Sequence, residues 1–551
     1  MVSLPYQRIN VCGEVVFCAQ GASIHAFNIK SREHLGTWSH PALNGRSKDL
    51  ESVPPAAPGT ADGEEADRPS KRVKLAADPD ETSGSAGGAA DTPGSAATTE
   101  NGQAAAEGCE PQGKKKKGAK VAASSRPTDR PWVMILETTS DGRHLVAVTG
   151  SDKTLWTFEH DGNGVLKELS KRVMPKRPSS VVITADDETI ISGDKFGDVY
   201  SVPLIQKETT DDPSASPTAS SQGTTATVPA AGTRSPFRPQ ADETTVHSAR
   251  NLRALASQKL HLEQQRQQKN GDATAAAAVP TFEHSLLLGH VSMLTSVALA
   301  AREADDGRRR KPYILTADRD EHIRISRGIP QAHVIETFCL GHQEFVSELC
   351  VPASHPQLLV SGGGDPDLFV WNWLQGKLLS RAGLLEHVRA VCAEAATVAV
   401  SRIRSFAAKP SEEGDGGDGV CAVVVACERV PALFLFDLAP EGALRHLQSV
   451  LLHGNPLDFR VVATDDQPTI LVALDLSAAT GNLAAMAEPL CVIQRGGDGQ
   501  WTTSDFHLQS SSIAASTKDE KEGLSRGELE AALYNIESLR KAPADENTDM
   551  D

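Results

Sequence analysis

Short apolar runs separated by glycine and aspartate dominate the pattern of this chain. Representative runs are VVFCAQ (15–20), HLVAVTG (144–150), SVVITAD (180–186), LLVSGGG (358–364) and TILVALDL (469–476). Runs of this length between turn residues predict β-strands. Because no long amphipathic helix recurs between the strand pairs, the pattern excludes a doubly wound α/β fold and favours an all-β sandwich or propeller.

A repeat decides between these two folds. Four stretches share a small residue, an aspartate turn and an apolar strand: VTGSDKTLWTF (148–158), ISGDKFGDVYSV (191–202), LTADRDEHIRIS (315–326) and VSGGGDPDLFVWNW (360–373). Asp152 precedes Asp194 by 42 residues, and Asp318 precedes Asp365 by 47. With Gly-His pairs upstream of the last two copies, this period of about 40–45 residues is typical of WD repeats. We therefore predict an all-β, seven-bladed WD-repeat β-propeller.

The histidines and aspartates of the repeat are expected to be structural. A histidine at the start of a blade, such as His290 or His342, can hydrogen-bond the turn aspartate between the two inner strands. His387, in LLEHVRAVC, follows at a similar step along the chain. Asp152, Asp194, Asp318 and Asp365 are accordingly predicted to fix turns.

Seven is the best blade count, although six or eight stays open because the last two blades lack clear markers. The predicted blades are 9–38, 132–168, 174–204 with 281–288, 291–338, 342–382, 388–450 and 455–509.

The domain plan interrupts the propeller twice. Its segments are 1–40 (first propeller strands), 41–128 (disordered insert), 129–205 (blades), 206–279 (disordered insert), 280–510 (remaining blades) and 511–551 (charged tail). The inserts are rich in small, polar and charged residues, which cannot bury enough apolar surface to offset ordering entropy. In the tail, Leu529, Leu533, Ile536 and Leu539 are spaced for a short helix, and Ser525 with Glu528 predicts a capping box.

Composition and charge narrow the function classes. Aromatic residues are only 4% of the chain, as expected if part of it is not packed, and the net charge of -17 argues against binding polyanions by bulk attraction. The nine cysteines show no CxxC spacing and are predicted to be structural rather than metal-binding. Without an apolar signal or a span of about 20 apolar residues, we expect a soluble intracellular protein with no membrane association.

Two basic clusters, PSKRVKLA (69–76) and KKKKGAK (114–120), lie in the first insert and favour nuclear import. The expected location is therefore the nucleus. The chain contains no nucleotide-binding glycine motif, HExxH or nucleophile elbow, so we predict a non-catalytic protein with no cofactor and no metal site.

The stretch ADRDEHIRIS (317–326) is the strongest candidate for a binding surface. Alternation along the strand directs Ile323 and Ile325 inward and places Arg324 on the outer side. The turn before it, 318–321, carries alternating charges that suit a protein partner. From the residues alone, a turn that satisfies only itself is an equally good interpretation.

Several long stretches resemble the non-catalytic WD-repeat subunit of the eukaryotic tRNA (guanine-N(7)-)methyltransferase. They are YILTADRDEHIRIS (313–326), VIETFCLGHQEFVSELC (334–350), LLVSGGGDPDLFVWNW (358–373), PKRPSSVVIT (175–184) and SGDKFGDVYSVPL (192–204). The resemblance covers most of residues 130–380, but not the inserts or the tail.

The resemblance implies a scaffold that forms a heterodimer with a catalytic subunit. That subunit uses S-adenosylmethionine to form 7-methylguanosine in tRNA, and the tRNA would be held mainly by it. The implied contact pairs a basic residue of the ADRDE-IR stretch with an acidic residue of the enzyme. Arg324 is the first candidate, with Arg319, Glu321 and His322 beside it; a pair at His322 would depend on pH. Lys176 and Arg177 are weaker candidates for the same surface or for tRNA.

Two other classes of protein are alternatives. A generic nuclear WD-repeat adaptor, such as a ubiquitin-ligase substrate receptor or a chromatin scaffold, fits the same fold because fold does not fix function. A propeller hydrolase would need convergent acidic or histidine residues in the central channel, which the sequence does not reveal.

Overall fold

Seven four-stranded antiparallel sheets make up the computed structural model, which describes residues 4–43, 130–206, 282–303, 310–408, 420–462, 468–477, 488–509 and 525–541. In every sheet the four strands are neighbours in chain order. Each sheet is thus one blade built from a continuous up-and-down run of chain. The seven-bladed prediction is confirmed.

The strands of the first three blades are β1 Arg8–Cys12, β2 Val15–Gln20, β3 Ser23–Asn28, β4 His34–Ser39; β5 Val133–Thr138, β6 His144–Thr149, β7 Thr154–His160, β8 Leu166–Val173; β9 Pro178–Ile183, β10 Thr189–Asp194, β11 Asp198–Pro203, β12 Ser285–Gly289. Blades 4 and 5 comprise β13 Leu294–Glu303, β14 Arg310–Asp318, β15 Ile323–Arg327, β16 Ile335–Cys339; β17 Val346–Cys350, β18 Leu358–Gly363, β19 Asp367–Asn372, β20 Lys377–Gly383. Blades 6 and 7 comprise β21 Val400–Ala408, β22 Val420–Cys427, β23 Ala432–Leu438, β24 Leu444–Leu451; β25 Asn455–Val462, β26 Thr469–Asp475, β27 Leu490–Arg495, β28 Trp501–Asp505.

The ring closes without exchanging strands between the chain ends. The first strand of each blade contacts the first strand of the next, and β25 of blade 7 contacts β1 of blade 1. Blade 1 is entirely N-terminal and blade 7 entirely C-terminal, so side chains help to hold this junction. Asp458 of β25 accepts a hydrogen bond from the Ile9 backbone at 3.1 Å.

The core lies between blades. In one cluster, Leu315 and Ile325 of blade 4 pack with Phe369 and Trp371 of blade 5. Because each blade packs against neighbours on both sides, both faces of its strands are covered. Ser326, which alternates with the inward-facing Ile325, is itself fully buried.

Part of blade 6 differs from the sequence prediction. The blade begins at Val400, and the preceding LLEHVRAVC forms helix α1, Leu385–Val391. His387 therefore does not act as a blade-start histidine: its ring stacks on His446 with centroids 3.7 Å apart. The expectation that His387 continues the Gly-His series is wrong, because the segment follows a local helical path between blades.

The two predicted inserts fall largely outside the described residues, as do both basic clusters. The tail helix is present: α2 spans Arg526–Leu533, with Ser525 and Glu528 forming the expected capping box. A 3-10 turn, Glu537–Leu539, follows it. In the described ranges, no helix is both long and apolar enough to cross a bilayer.

One end of the propeller carries the turn between the second and third strand of each blade, and we call it the turn face. Strand direction alternates within an antiparallel blade, so these turns share this end with the connections from blade to blade. The predicted turn aspartates and the ADRDE stretch all lie here.

A candidate partner-binding face

A four-residue chain of hydrogen bonds fixes blade 5 at the turn face. His342 Nδ1 lies 2.7 Å from Asp365 Oδ2, and its Nε2 lies 2.8 Å from the Ser361 hydroxyl. Trp371 Nε1 donates to that hydroxyl at 2.8 Å. All four side chains are buried, so the network joins the start of the blade to its second and third strands.

Blades 2 and 4 use similar pairs. His290 Nδ1 lies 3.2 Å from Asp318 Oδ2 and its Nε2 lies 2.8 Å from the Thr316 hydroxyl. In blade 2, His40 Nε2 lies 3.1 Å from Asp152 Oδ2. Each aspartate thus links its turn to the chain entering the blade.

Differences in hydrogen bonding shift the pKa values of Asp318 and Asp194 in opposite directions. Burial alone would raise the pKa of Asp318, but hydrogen bonds from His290 and from the His322 backbone hold it below its ordinary value. Asp194 accepts only from backbone groups, namely the N–H groups of Phe196 and Asp198, and its Oδ2 is buried without a partner in the described structure. Burial therefore raises the pKa of Asp194.

In blades 6 and 7, Glu428 and Asp475 occupy the position of the turn aspartate. Both are bound by residues 534–537. Residues 525–541, which we call the C-terminal strap, run across the turn face. Tyr534 donates its hydroxyl proton to Asp475 at 2.5 Å, while Asn455 donates to the same hydroxyl at 3.2 Å. Glu428 accepts three backbone N–H groups, those of residues 535–537, at 2.8–3.0 Å.

The strap is anchored at both ends. Leu529 of α2 is buried against Leu4, Ala22 and Trp132 of blades 1 and 2. At the other end, Arg540 donates to the backbone carbonyls of Gly364 and Val398 at 3.1 and 2.9 Å.

The strap ends on the predicted partner-binding turn of blade 4. Arg319 Nε donates to the carbonyl of Leu539 at 2.7 Å. Lys541 Nζ lies 3.2 Å from Asp320 and 2.8 Å from Glu321. The strap therefore bonds to or packs on blades 1, 2, 4, 5, 6 and 7, and Arg319 and Glu321 are already engaged within the chain.

Arg324 and His322 are placed differently. The Arg324 guanidinium donates to the Ser326 hydroxyl and to the Gly289 carbonyl of blade 3, both at 3.0 Å, and burial lowers its pKa. No carboxylate of the described residues lies within 4 Å of it. The side chain of His322 is half exposed, with Nδ1 3.6 Å from Asp318. Arg324 is therefore half-buried between two blades rather than fully on the outside.

Lys176 and Arg177 lie on blade 3 of the same face. Both are exposed. Lys176 and Lys195 place their ammonium groups 4.6 and 5.1 Å from the ring centroid of Phe196, an exposed aromatic residue in the turn of that blade. Lys176, Arg177 and Lys195 form a basic patch that is separate from the residues that contact the strap.

Within the described ranges, no three metal-ligating side chains lie close enough together to hold an ion. The eight cysteines in these ranges are unpaired, and five of them are buried. The turn face brings together charged side chains, backbone donors and the exposed aromatic ring of Phe196.

A closed ring of seven four-stranded blades, with His–Asp bonds at the turns of blades 2, 4 and 5, defines a WD-repeat β-propeller. A sequence model described as the tRNA methyltransferase TRM82 WD40 domain matches residues 16–490. That span is well over half of the chain, and the chain belongs to this family.

Fungal relatives agree with this assignment, and each is named tRNA (guanine-N(7)-)-methyltransferase non-catalytic subunit. The Sclerotinia sclerotiorum protein is 35% identical and covers 98% of this chain and 99% of its own length. The Aspergillus fumigatus protein is 37% identical, covering 79% and 86%. The Phaeosphaeria nodorum protein is 39% identical, covering 74% and 82%.

Sequence reasoning missed Glu428, Asp475 and Tyr534. Their only signal was the apolar spacing of the tail, which indicated a face to be buried. The helix ends at Leu533 because Tyr534 adopts an extended backbone, with φ -118° and ψ 97°, and reaches Asp475.

Proposed function

We propose that this chain is the non-catalytic subunit of a tRNA (guanine-N(7)-)-methyltransferase. It binds a separate S-adenosylmethionine-dependent catalytic subunit and stabilises the active arrangement of that enzyme. Family membership over residues 16–490 supports this role. A rigid ring can restrict the mobile segments of a partner, and this preorganisation lowers the entropic cost of reaching the active state.

The proposed binding site rests on one observation, the hydrogen-bonding environment of Arg324. Its guanidinium is partly desolvated, yet it donates only to neutral oxygens. A charge-assisted pair with a carboxylate is stronger than a neutral hydrogen bond, so an acidic residue of the enzyme would complete this site. Arg319 and Glu321 are engaged by the strap and would contribute through the strap, while His322 lies beside the site.

Binding of the catalytic subunit tests this assignment. Arg324→Glu should weaken the affinity at least tenfold and lower the yield of 7-methylguanosine in tRNA to the same extent at limiting enzyme. Arg324→Gln, which adds no repulsion, should give a smaller loss. Circular dichroism should show an intact propeller in both variants.

Arg143 supplies a matched control, because it is exposed and lies in the turn between the first and second strands of blade 2, at the end opposite the turn face. Arg143→Glu changes the charge equally and should leave the affinity unchanged. Equal affinities for Arg324→Glu and the parent chain would remove Arg324 from the interface.

Two further parts of the proposal concern tRNA and location. With a net charge of -17, the chain would leave tRNA mainly to its partner, with Lys176 and Arg177 as the local exception. We place the protein in the nucleus on the strength of the basic clusters 69–76 and 114–120, which can be tested by replacing their lysines and arginines in a fluorescent fusion.

A further inference from the structure

The first strands of all seven blades surround a central cavity of about 590 Å³. Residues 532–536, Ser538 and Leu539 of the strap line it at the turn face. This volume lies within the range of small-molecule sites. The strap restricts entry from this end, so a small ligand fits the space better than a folded chain does.

The wall of the cavity is positive although the chain is strongly negative. The basic residues that line it are Arg8, Arg177, Lys195, Arg402, Arg404 and Arg460. The lining carboxylates are Glu137, Glu348 and Glu428, and Asp458 stands directly behind Arg402 and Arg460. Six cations thus face four carboxylates, and one of these, Glu428, is occupied by the backbone of the strap.

Three of the arginines are paired. Arg402 and Arg404 share Glu348, at 2.9 and 3.3 Å. Arg402 also lies 3.1 Å from Asp458, and Arg460 lies 3.0 Å from Glu137. These pairs neutralise most of the wall and hold its guanidinium groups in place.

Three of the six cations, Arg8, Arg177 and Lys195, form no ion pair among the described residues, and Arg8 is the one on the innermost strand of blade 1. It donates only to backbone carbonyls, those of Met134, Gln7 and Leu457, at 2.7, 2.8 and 3.4 Å. No carboxylate in the described part of the chain forms an ion pair with it. Burial, together with the nearby charge of Arg402, lowers the pKa of Arg8 to about 9. The charges of Asp458 and Glu348 offset this shift only in part, and desolvation of a cation that no carboxylate contacts directly is costly.

Arg460 leaves an unused donor beside it. Its side chain is 13% exposed, and its Nη1 is buried without a hydrogen-bond acceptor among the described residues, 3.5 Å from Asp458. Guanidinium groups in fixed orientations match the oxygens of phosphate. Arg8 therefore offers a charge, and Arg460 a donor, that the described residues do not satisfy.

We propose that the central cavity binds a small phosphate-class anion, of the size of inorganic phosphate or pyrophosphate, held by Arg8 and Arg460. The anion neutralises the excess charge of the inner strands and links blades 1 and 7, where the ring closes.

Titration calorimetry of the purified full chain with sodium pyrophosphate, at fixed ionic strength, tests the proposal. We expect one saturable site per chain and a rise in melting temperature. Arg8→Gln and Arg460→Gln should weaken binding at least tenfold, whereas Arg143→Gln, the same change outside the cavity, should have no effect. Absence of saturable binding, or an equal loss in Arg143→Gln, overturns the proposal.

Glu348→Gln provides a second test of the site in case either arginine variant fails to fold. It removes a competing carboxylate while keeping an acceptor for Arg402 and Arg404, so the affinity for pyrophosphate should rise several-fold. Misfolding would lower the affinity instead. An unchanged or lower affinity in a folded Glu348→Gln chain contradicts the site, and so does an equal rise in melting temperature with sodium chloride of the same ionic strength.

Discussion

Replacing Tyr534 by phenylalanine removes one hydroxyl from the middle of the strap. That hydroxyl donates to Asp475 at 2.5 Å and accepts from Asn455 at 3.2 Å. The Asp475 carboxylate, which is 2% exposed, would keep only its two bonds from Ser477. The ring of Tyr534 would still pack under Arg429, whose guanidinium lies 4.8 Å from its centroid.

A hydrogen bond to a charged group contributes about 1.5–3 kcal/mol to stability. Because Tyr534 is only partly buried, solvent can reach the freed carboxylate and reduce the loss. We therefore expect Tyr534→Phe to lower the free energy of unfolding by about 1–2 kcal/mol. Urea unfolding followed by tryptophan fluorescence measures it, and limited proteolysis should cleave the strap faster in the variant.

Tyr200→Phe provides the matched control, since its hydroxyl donates to the Asp198 carboxylate at 3.2 Å within a single blade. We expect it to cost less than about 0.5 kcal/mol, because Asp198 is not buried. An equal loss in both variants, or unchanged proteolysis of the strap in Tyr534→Phe, would refute the view that this hydroxyl fastens the strap to blade 7.

Three further variants test the interior of the ring. His342→Ala should lower the free energy of unfolding in urea by about 2–3 kcal/mol, because it leaves the buried Asp365 without its histidine partner. His322→Ala, at a half-exposed position, should lower it by less than about 0.5 kcal/mol. Burial opposes ionisation of Asp458, but the surrounding arginines lower its pKa to about 2. This depressed pKa contributes on the order of 2 kcal/mol above pH 4, which is lost as the pH falls toward 2; Asp458→Asn should flatten that acid limb in denaturation curves. Gly363→Ala should abolish folding in a solubility assay, because a Cβ would overlap a backbone carbonyl, while Gly497→Ala meets nothing and should fold normally.

The repeat predicted the ring because its signals are local. Asp152, Asp318 and Asp365 stand at fixed offsets from strands, and the chemistry of a turn requires them there. The expectation for His387 was wrong for the same reason. Its distance along the chain from the earlier Gly-His pairs does not reveal that its segment is helical. Alternation correctly directed Ile323 and Ile325 inward, but it could not show that the opposite face is covered by another blade.

The short helix of the strap was predicted from sequence, but its docking across the turn face could not be. Glu428 binds three backbone N–H groups, which any sequence supplies, and the contact joins residues more than 100 positions apart. The cavity charges were equally hidden, since Arg8 and Arg460 come from opposite ends of the chain and meet only when the ring closes.

The strap also has a consequence for how the protein is made. Its contacts with blades 1, 2, 4, 5, 6 and 7 involve residues 529–541, which follow every blade in the sequence. Because the ribosome adds residues from the N-terminus onward, all seven blades are synthesised before any part of this fastening. Any folding of the blades that precedes the synthesis of residues 525–541 therefore takes place without the strap. A messenger truncated just before the codon for Ser525 would yield all seven blades but an unfastened ring.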